Sequence, residues 1–373
     1  MDPLSQGVLG AALPQASARR REAATAGLLG FLAGMAPDLD VLIRSSEDPL
    51  LFLEYHRQFT HSLLFIPLGG LLCALVLHGV IGKRRGFGFG RTLAFCTLGY
   101  ATHALLDVCT TYGTMLFWPF SDMRIAWNTV SIIDPLFTVP ILLLVVMGGL
   151  RKQPVLARYA LVWALAYLGM GLWQRNEAIA IGEQLAASRG HEPVRLEAKP
   201  SFGNILVWKV VYQTESEFYV DAVRTGFSPR IYPGDSVPVL NPARDLPWLE
   251  PGSQQAADVD RFSWFSNGYV ALDPRHADRV IDIRYSLLPN EIAPLWSIQL
   301  DPAAGDASHV GYITHRDGGG RQGNALWAML SGNPELGDPL SALADRRISA
   351  GQDGLGSGQG RASADGGTLA PQD

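Results

Sequence analysis

The chain has 373 residues, of which 47% are hydrophobic and 17% charged, with a formal net charge of −5 at pH 7. This length suffices for two units of ordinary domain size. The charge is divided unevenly, because residues 1–174 carry a net +3 and residues 175–373 a net −8. No basic patch stands out, which argues against nucleic acid as a partner.

Long apolar runs in the first part of the chain predict membrane helices. A spanning helix needs about 20 residues, so the shorter runs must tilt or enter the membrane without crossing it. Residues 4–13 suit a sixth, short helix, and the sequence leaves open whether they cross and whether Asp2 reaches a site. The five main runs are residues 23–36, 62–81, 92–108, 132–150 and 157–173.

The basic residues of this part predict its orientation. Ten of its 13 lysines and arginines lie in or beside alternate connections, at residues 15–22, 82–91 and 151–156. Under the positive-inside rule these connections are cytoplasmic. Segments 37–61 and 109–131 then face outward, and so does everything after the last membrane helix.

Residues 175–330 read as a small, antiparallel, β-rich soluble domain. A helix is predicted over 177–188, and strands over 205–212, 217–223, 269–272, 280–285 and 295–299, separated by turn residues. The remainder, 331–373, is a flexible tail, and its last part is rich in Gly, Ser, Ala and Asp, which is typical of disorder. The predicted architecture is therefore an all-α polytopic bundle of five or six helices over 1–174, a periplasmic β domain and a tail.

Six polar side chains lie at the edges of the apolar runs or inside them. Charged residues at membrane depth are costly and usually face a cavity, a partner or a metal ion. Imidazole and carboxylate groups are also ordinary ligands of zinc and similar ions. The orientation rule independently brings these residues to one membrane face. They are predicted metal ligands: Asp38, Asp40, His56, His61, His103 and Asp107.

Each pair in this set also has a plainer interpretation. His103 and Asp107 are four residues apart, so they share one helix face and can bind an ion or simply hydrogen-bond inside a bundle. His56 and His61 also suit an ordinary membrane interface. The alternating carboxylates of Asp38 and Asp40 equally suit a solvated loop. Only the joint occurrence of the three pairs at one face favours a metal site.

Other polar residues have two interpretations as well. Arg57 and Arg124 suit either an anionic substrate group such as phosphate or a lipid headgroup. Asp134 precedes a proline at the start of an apolar run, which favours a helix cap. Aromatic residues of the outer segments predict an interfacial belt, namely Tyr112, Trp118 and Trp127.

Several motifs together resemble those of the YdjM/YbcI-like family of inner-membrane, metal-dependent hydrolases. They are residues 1–6 (MDPLSQ), 37–40 (PDLD), 56–62 (HRQFTHS) and 102–120 (THALLDVCTTYGTMLFWPF). The resemblance covers roughly residues 1–175, and the family is distantly similar to zinc-dependent phospholipase C. It implies the same six residues as ligands. Relatives place histidine where this chain has Gln6.

The sequence therefore predicts a bacterial inner-membrane hydrolase that holds one or two divalent ions, zinc first among them. Water activated by the metal would attack an ester or phosphoester of a lipid or lipid-linked substrate. Asp38 or Asp40 would act as general base instead of ligand. The alternatives are a non-catalytic scaffold with a structural metal, and an ion or proton pathway.

Overall fold

The computed structural model describes residues 1–315, 319–333 and 337–340. Helices are followed by antiparallel sheets, which confirms the predicted fold class. The predicted disorder of 349–373 lies outside the described residues. The helices of the first part are α1 (Pro3–Ser17), α2 (Ala23–Met35), α3 (Leu51–Tyr55), α4 (Ile66–Leu77), α5 (Phe89–Val108), α6 (Pro135–Leu150) and α7 (Pro154–Ser188).

Among the described residues, three helical segments are long and apolar enough to cross a membrane: Ala23–Leu42, Leu63–Arg85 and Pro154–Ser188. The first extends α2 through a 3₁₀ turn, and α6 is apolar but shorter. The sequence predicted two helices over 157–173 and 177–188, but α7 is one helix of 35 residues. The separation was wrong because no proline or glycine interrupts the polar residues between the two runs.

Helix α1 lies inside the bundle, against α2, α5, α6 and α7. Most of its residues are buried, and its 15 residues rise only about 22 Å, which is short of a bilayer core. Asp2 caps the helix, because its carboxylate accepts hydrogen bonds from the backbone N–H groups of Leu4 and Ser5. Asp2 therefore has a structural role at the start of α1.

The two ends of the bundle differ in charge. At one end, Arg91 forms an ion pair with Glu22 at 2.6 Å, and Arg158 donates to the carbonyl of Ala16. At the other end, the N–H of Asp2 donates to the carbonyl of Ile132, and the soluble domain begins. The basic connections thus lie opposite the end that carries the acidic and histidine residues.

Within the part of the chain that the structure describes, the soluble domain forms two antiparallel sheets. The first has the order β1-β2-β3-β4-β10, with β5 also paired to β3, and the second has the order β6-β7-β8-β9. The strands are β1 (Arg195–Pro200), β2 (Val207–Gln213), β3 (Glu217–Arg224), β4 (Arg230–Tyr232), β5 (Ser236–Pro238), β6 (Val270–Asp273), β7 (His276–Asp282), β8 (Trp296–Gln299), β9 (Gly311–Thr314) and β10 (Asp338–Pro339), with helices α8 (Pro242–Asp245), α9 (Gln254–Phe265) and α10 (Gly319–Ser331).

Two hydrophobic cores join the soluble domain to the bundle. One runs from α1 and α6 along α7 into the first sheet, where Trp208 and Val210 are fully buried. The other places Leu50 and Leu53, from the connection before α4, among residues of α9 such as Phe262. The bundle and the domain therefore share apolar interiors.

Asp134 caps α6, as the sequence predicted, and accepts hydrogen bonds from the N–H groups of Leu136 and Phe137. Its two carboxylate oxygens also accept from the hydroxyl of Tyr167, at 2.9 and 2.8 Å. Replacing Tyr167 by phenylalanine should lower the free energy of unfolding by about 1–3 kcal/mol, because a buried carboxylate loses a donor.

Thermal unfolding of the detergent-solubilised protein would measure this loss. Tyr159→Phe is the matched control, because Tyr159 lies on the same helix and is 58% exposed. Equal unfolding temperatures for the two variants would contradict the role given to Tyr167.

Candidate metal centre

Three separate parts of the chain place the six predicted ligands at one end of the bundle. Asp38 and Asp40 lie in the 3₁₀ turn Ala36–Leu42 that continues α2. His56 follows α3, and His61 ends the short turn Phe59–His61. His103 and Asp107 lie one turn apart near the end of α5.

The first group joins four side chains, Asp38, His61, His103 and Asp107, whose ligand atoms all lie within 4.8 Å of one another. The Nε2 atoms of the two histidines are 2.9 Å apart. Oδ2 of Asp107 lies 3.3 and 3.5 Å from these nitrogens, and Oδ1 of Asp38 lies 3.5 and 3.4 Å from them. Two nitrogens and two carboxylate oxygens thus converge on one point.

Hydrogen bonds at the far side of each ring orient the two imidazoles. Nδ1 of His103 lies 2.6 Å from the carbonyl oxygen of Gly34, an acceptor, so this nitrogen carries the proton and Nε2 presents a lone pair. Nδ1 of His61 lies near the hydroxyl of Thr60 and Oδ2 of Asp40. Such outward hydrogen bonds are typical of histidines that bind metal.

The second group contains Asp38, Asp40 and His56, and it overlaps the first through Asp38. Nδ1 of His56 lies 2.7 Å from Oδ1 of Asp40. Oδ2 of Asp40 accepts from the N–H of Arg57 and the hydroxyl of Thr60. Both oxygens of Asp40 are therefore engaged, whereas Asp38 is shared between the groups and its side chain is 20% exposed.

The charges around the cluster require a positive counterpart. The cluster contains three carboxylates but only two neighbouring cationic groups. Nε of Arg57 lies 3.2 Å from Oδ2 of Asp107. The amino group of Met1 contacts Oδ1 of the same residue. Oδ2 of Asp107 is buried without a hydrogen-bond partner. The remaining negative charge is balanced by a bound cation or by a proton between the imidazoles, and the donor set fits a divalent ion.

The neighbouring carboxylates also change the pKa of His61. Burial by itself lowers the pKa of this histidine, but hydrogen bonds with Asp107, Asp38 and Asp40 outweigh it and raise the pKa to about 10. Without a metal, these hydrogen bonds favour the protonated form of His61. A bound cation would displace this proton, since metal ligands must be deprotonated.

Two residues that were not predicted as ligands also contact the cluster. Nε2 of Gln6 donates to Oδ1 of Asp107 at 2.8 Å, and its Oε1 is buried without a partner. Arg57 has a positive φ of 65°, and its Nη1 donates to the hydroxyl of Thr110. The sequence offered one indication of a role for Gln6, namely its position in the N-terminal motif of residues 1–6.

The soluble domain holds the connection that carries His56 and His61. Arg261 of α9 forms ion pairs with Asp48 at 2.7 Å and Glu54 at 2.5 Å. Together with the buried Leu50 and Leu53, these pairs attach the connection to the domain. The sequence did not predict this contact, because the partners are more than 200 residues apart.

The predicted aromatic belt is wrong for Tyr112. Its ring packs against His56 at 5.6 Å, Phe265 at 5.2 Å and Trp296 at 6.1 Å between centroids. The reason is that the soluble domain covers this part of the outer segment. Trp127 does remain exposed, at 53%.

The fold and the cluster define a class: a polytopic helical membrane protein with histidines and carboxylates gathered at the end that carries a β domain. The chain belongs to the YdjM inner membrane protein family, whose model matches residues 1–178. Inner membrane protein YbcI of Escherichia coli (strain K12) is 32% identical over 154 residues, which are 39% of this chain and 82% of that relative. No solved structure matches the chain.

These matches place the chain in the inner membrane, in contact with the lipid bilayer. The family match covers all six predicted ligands. Metal binding and catalysis by the six residues stay predictions.

Proposed function

We propose that the chain is a metal-dependent hydrolase that cleaves an ester or phosphoester bond at the outer face of the inner membrane. The observation that supports it is the overlap of two ligand groups at Asp38, which suits one ion or two adjacent ions. The nitrogen and oxygen donors favour zinc. A bound zinc ion would supply a Lewis acid and lower the pKa of water towards about 7.

The roles that we assign to the cluster residues follow from how buried each side chain is. His61, His103 and Asp107 are fully buried and have fixed orientations, so they suit ligands. Asp40 is engaged on both oxygens and orients His56. Oδ1 of Asp38 faces both histidine Nε2 atoms and is the ligand atom of this residue. The side chain is partly exposed, so we assign its other oxygen, and not Asp40, as the general base that accepts a proton from an attacking water.

The location of the cluster supports a lipid or lipid-linked substrate. It lies at the end of the bundle opposite the basic connections, which the positive-inside rule places in the cytoplasm. The β domain would then be periplasmic. A substrate whose scissile bond lies at headgroup depth reaches this end without leaving the membrane.

The test measures bound metal and hydrolysis on one preparation of the full chain. The substrates are p-nitrophenyl acetate, p-nitrophenyl phosphate, bis-p-nitrophenyl phosphate and phosphatidylglycerol in mixed micelles. We expect chelation to stop the reaction of at least one substrate and zinc to restore it. Asp38→Asn should slow it about 100-fold or more, which is the usual contribution of a general base.

Asp306→Asn is the control, because Asp306 is an exposed aspartate of the soluble domain. Hydrolysis that survives chelation, or an Asp38→Asn variant as fast as this control, would overturn the proposal.

A non-catalytic scaffold is the second candidate, and the complete burial of His61, His103 and Asp107 favours it. In that case the protein would bind metal tightly and hydrolyse none of the four substrates. Metal removal would lower the unfolding temperature without any change in turnover. The same experiment therefore separates the two functions.

A further inference from the structure

A polar cavity of about 210 Å³ lies between the outer segment of the bundle and the soluble domain, and we call it the interface cavity. Arg124 and Tyr112 line it from the outer segment. Lys199, Trp264 and Arg284 line it from the soluble domain. It lies next to the metal centre, because the Tyr112 ring also contacts His56.

Arg124 lines this cavity, and most of its hydrogen-bonding capacity is unused. Its Nε and Nη1 are buried and have no hydrogen-bond partner, and only Nη2 donates, to the carbonyl of Gly113 at 3.1 Å. Its guanidinium carbon lies 5.1–5.6 Å from the ring centroids of Tyr112, Trp264 and Phe265. The rings hold the guanidinium in place but do not neutralise it.

The other cations of the cavity wall already have carboxylate partners. Lys199 pairs with Glu197 at 2.5 Å, and Arg284 pairs with Asp282 at 2.7 Å. In the described part of the chain, no ion pair joins Arg124 to a carboxylate. Asp122 also lines the cavity, but it is exposed to solvent. One buried positive charge therefore remains uncompensated.

Such a charge destabilises the folded protein, because a buried ion without a partner loses its hydration and forms no compensating ion pair. Burial and the charges of Arg284 and Arg57 lower the pKa of Arg124 to about 10, so it stays protonated at neutral pH. Guanidinium groups with free, parallel N–H donors are suited to bind oxyanions through two hydrogen bonds.

We propose that the interface cavity binds a phosphate group, with Arg124 as its principal ligand. The group comes either from a lipid headgroup or from a free phosphate or soluble phosphoester. The stacked rings fix the direction of the guanidinium, and the cavity volume accommodates a phosphate with bridging waters. This inference does not require hydrolysis at the metal centre.

Calorimetric titration of the full chain in phospholipid-free detergent with inorganic phosphate tests the proposal. We expect saturable binding by the unaltered protein and by Arg244→Met, the control, since the Arg244 side chain is 53% exposed and does not line the cavity. Arg124→Met should weaken binding roughly 10-fold or more, because charge-assisted hydrogen bonds are lost. His103→Ala should bind phosphate as the unaltered protein does, which separates this site from phosphate held by metal.

Unfolding temperatures measured with and without phosphate distinguish a phosphate ligand from a residue that only supports the fold. Phosphate should raise the unfolding temperature of the unaltered protein but not the unfolding temperature of Arg124→Met. Without phosphate, Arg124→Met should be no less stable than the unaltered protein, because the substitution removes an unpaired buried charge. If that variant does not fold, Arg124→Lys, which keeps the charge but loses the paired donors, should still weaken phosphate binding several-fold.

Nanodiscs distinguish the two sources of the phosphate group. Loss of inorganic phosphate binding in discs with phosphatidylglycerol indicates a lipid headgroup in the cavity, whereas an unchanged affinity indicates a free phosphate. Absence of saturable binding in detergent would overturn the proposal. So would an affinity that is unchanged in both Arg124→Met and Arg124→Lys, or lost in His103→Ala.

Discussion

Replacing His103 by alanine is expected to lower the metal affinity of the protein by at least about 100-fold and to stop any metal-dependent hydrolysis. Loss of a residue that only supports a ligand typically costs 10–100-fold, so loss of a ligand itself should cost no less. His103 supplies a nitrogen 2.9 Å from that of His61, and its orientation is set by the carbonyl of Gly34. The His103 side chain is fully buried, so its removal leaves an empty place among the other ligands.

Elemental analysis of purified protein, followed by competition with a chromophoric chelator, would measure this change. His78→Ala is the matched control, since His78 lies in another helical segment and contacts the hydroxyl of Thr92 at 3.0 Å. His61→Ala, which removes a ligand supplied by a different segment, should show the same loss. If both site variants keep the metal content of the control, the six residues do not form a metal centre.

Replacing Gly30 by alanine is expected to destabilise the bundle by about 1–3 kcal/mol or more, as overpacking does in a close-packed core. Gly30 lies where α1, α2 and α5 meet. An added methyl group would overlap the carbonyl oxygen of Gly10 and the ring of Pro14. The carbonyl oxygen of Gly30 also lies directly against Gly99 of α5. Backbone atoms cannot change rotamer to relieve the overlap, so α1 and α2 must move apart.

Gly90→Ala provides the comparison on α5, since nothing lies within 4 Å of the position where its methyl group would be. It should be neutral or slightly stabilising, because alanine favours helix over glycine by up to about 1 kcal/mol. Unfolding temperatures in detergent would show the difference. Gly30→Ala should also weaken metal binding, since Gly34 of the same helical segment orients His103. A Gly30→Ala protein as stable as Gly90→Ala would refute this account of the packing.

Local patterns in the sequence were sufficient to predict the fold class, which the structure confirms, and they singled out six candidate ligands. Apolar runs of membrane length predicted the helical bundle, and the distribution of basic residues predicted which end of it would gather the polar side chains. The spacing of His103 and Asp107 placed both on one helix face. The inference about the fold class succeeds because apolar runs and turn residues act through neighbours close in the chain, whereas metal binding by the six residues stays a prediction.

Long-range contacts were not predictable in the same way. The sequence did not show that Arg261 would bind Asp48 and Glu54, or that Tyr112 would be covered by the soluble domain. It also did not show that Arg124 would be buried among aromatic rings without a carboxylate. Such contacts join residues far apart in the chain, and only the packing of the two parts decides them.

The sequence by itself therefore determined a membrane bundle and a β-rich domain, and it singled out six candidate metal ligands. The tertiary structure decided that the six side chains form two overlapping groups and that the β domain holds the connection bearing His56 and His61. The physical reason is that periodicity and charge act locally, whereas convergence of ligands depends on how helices from distant segments pack.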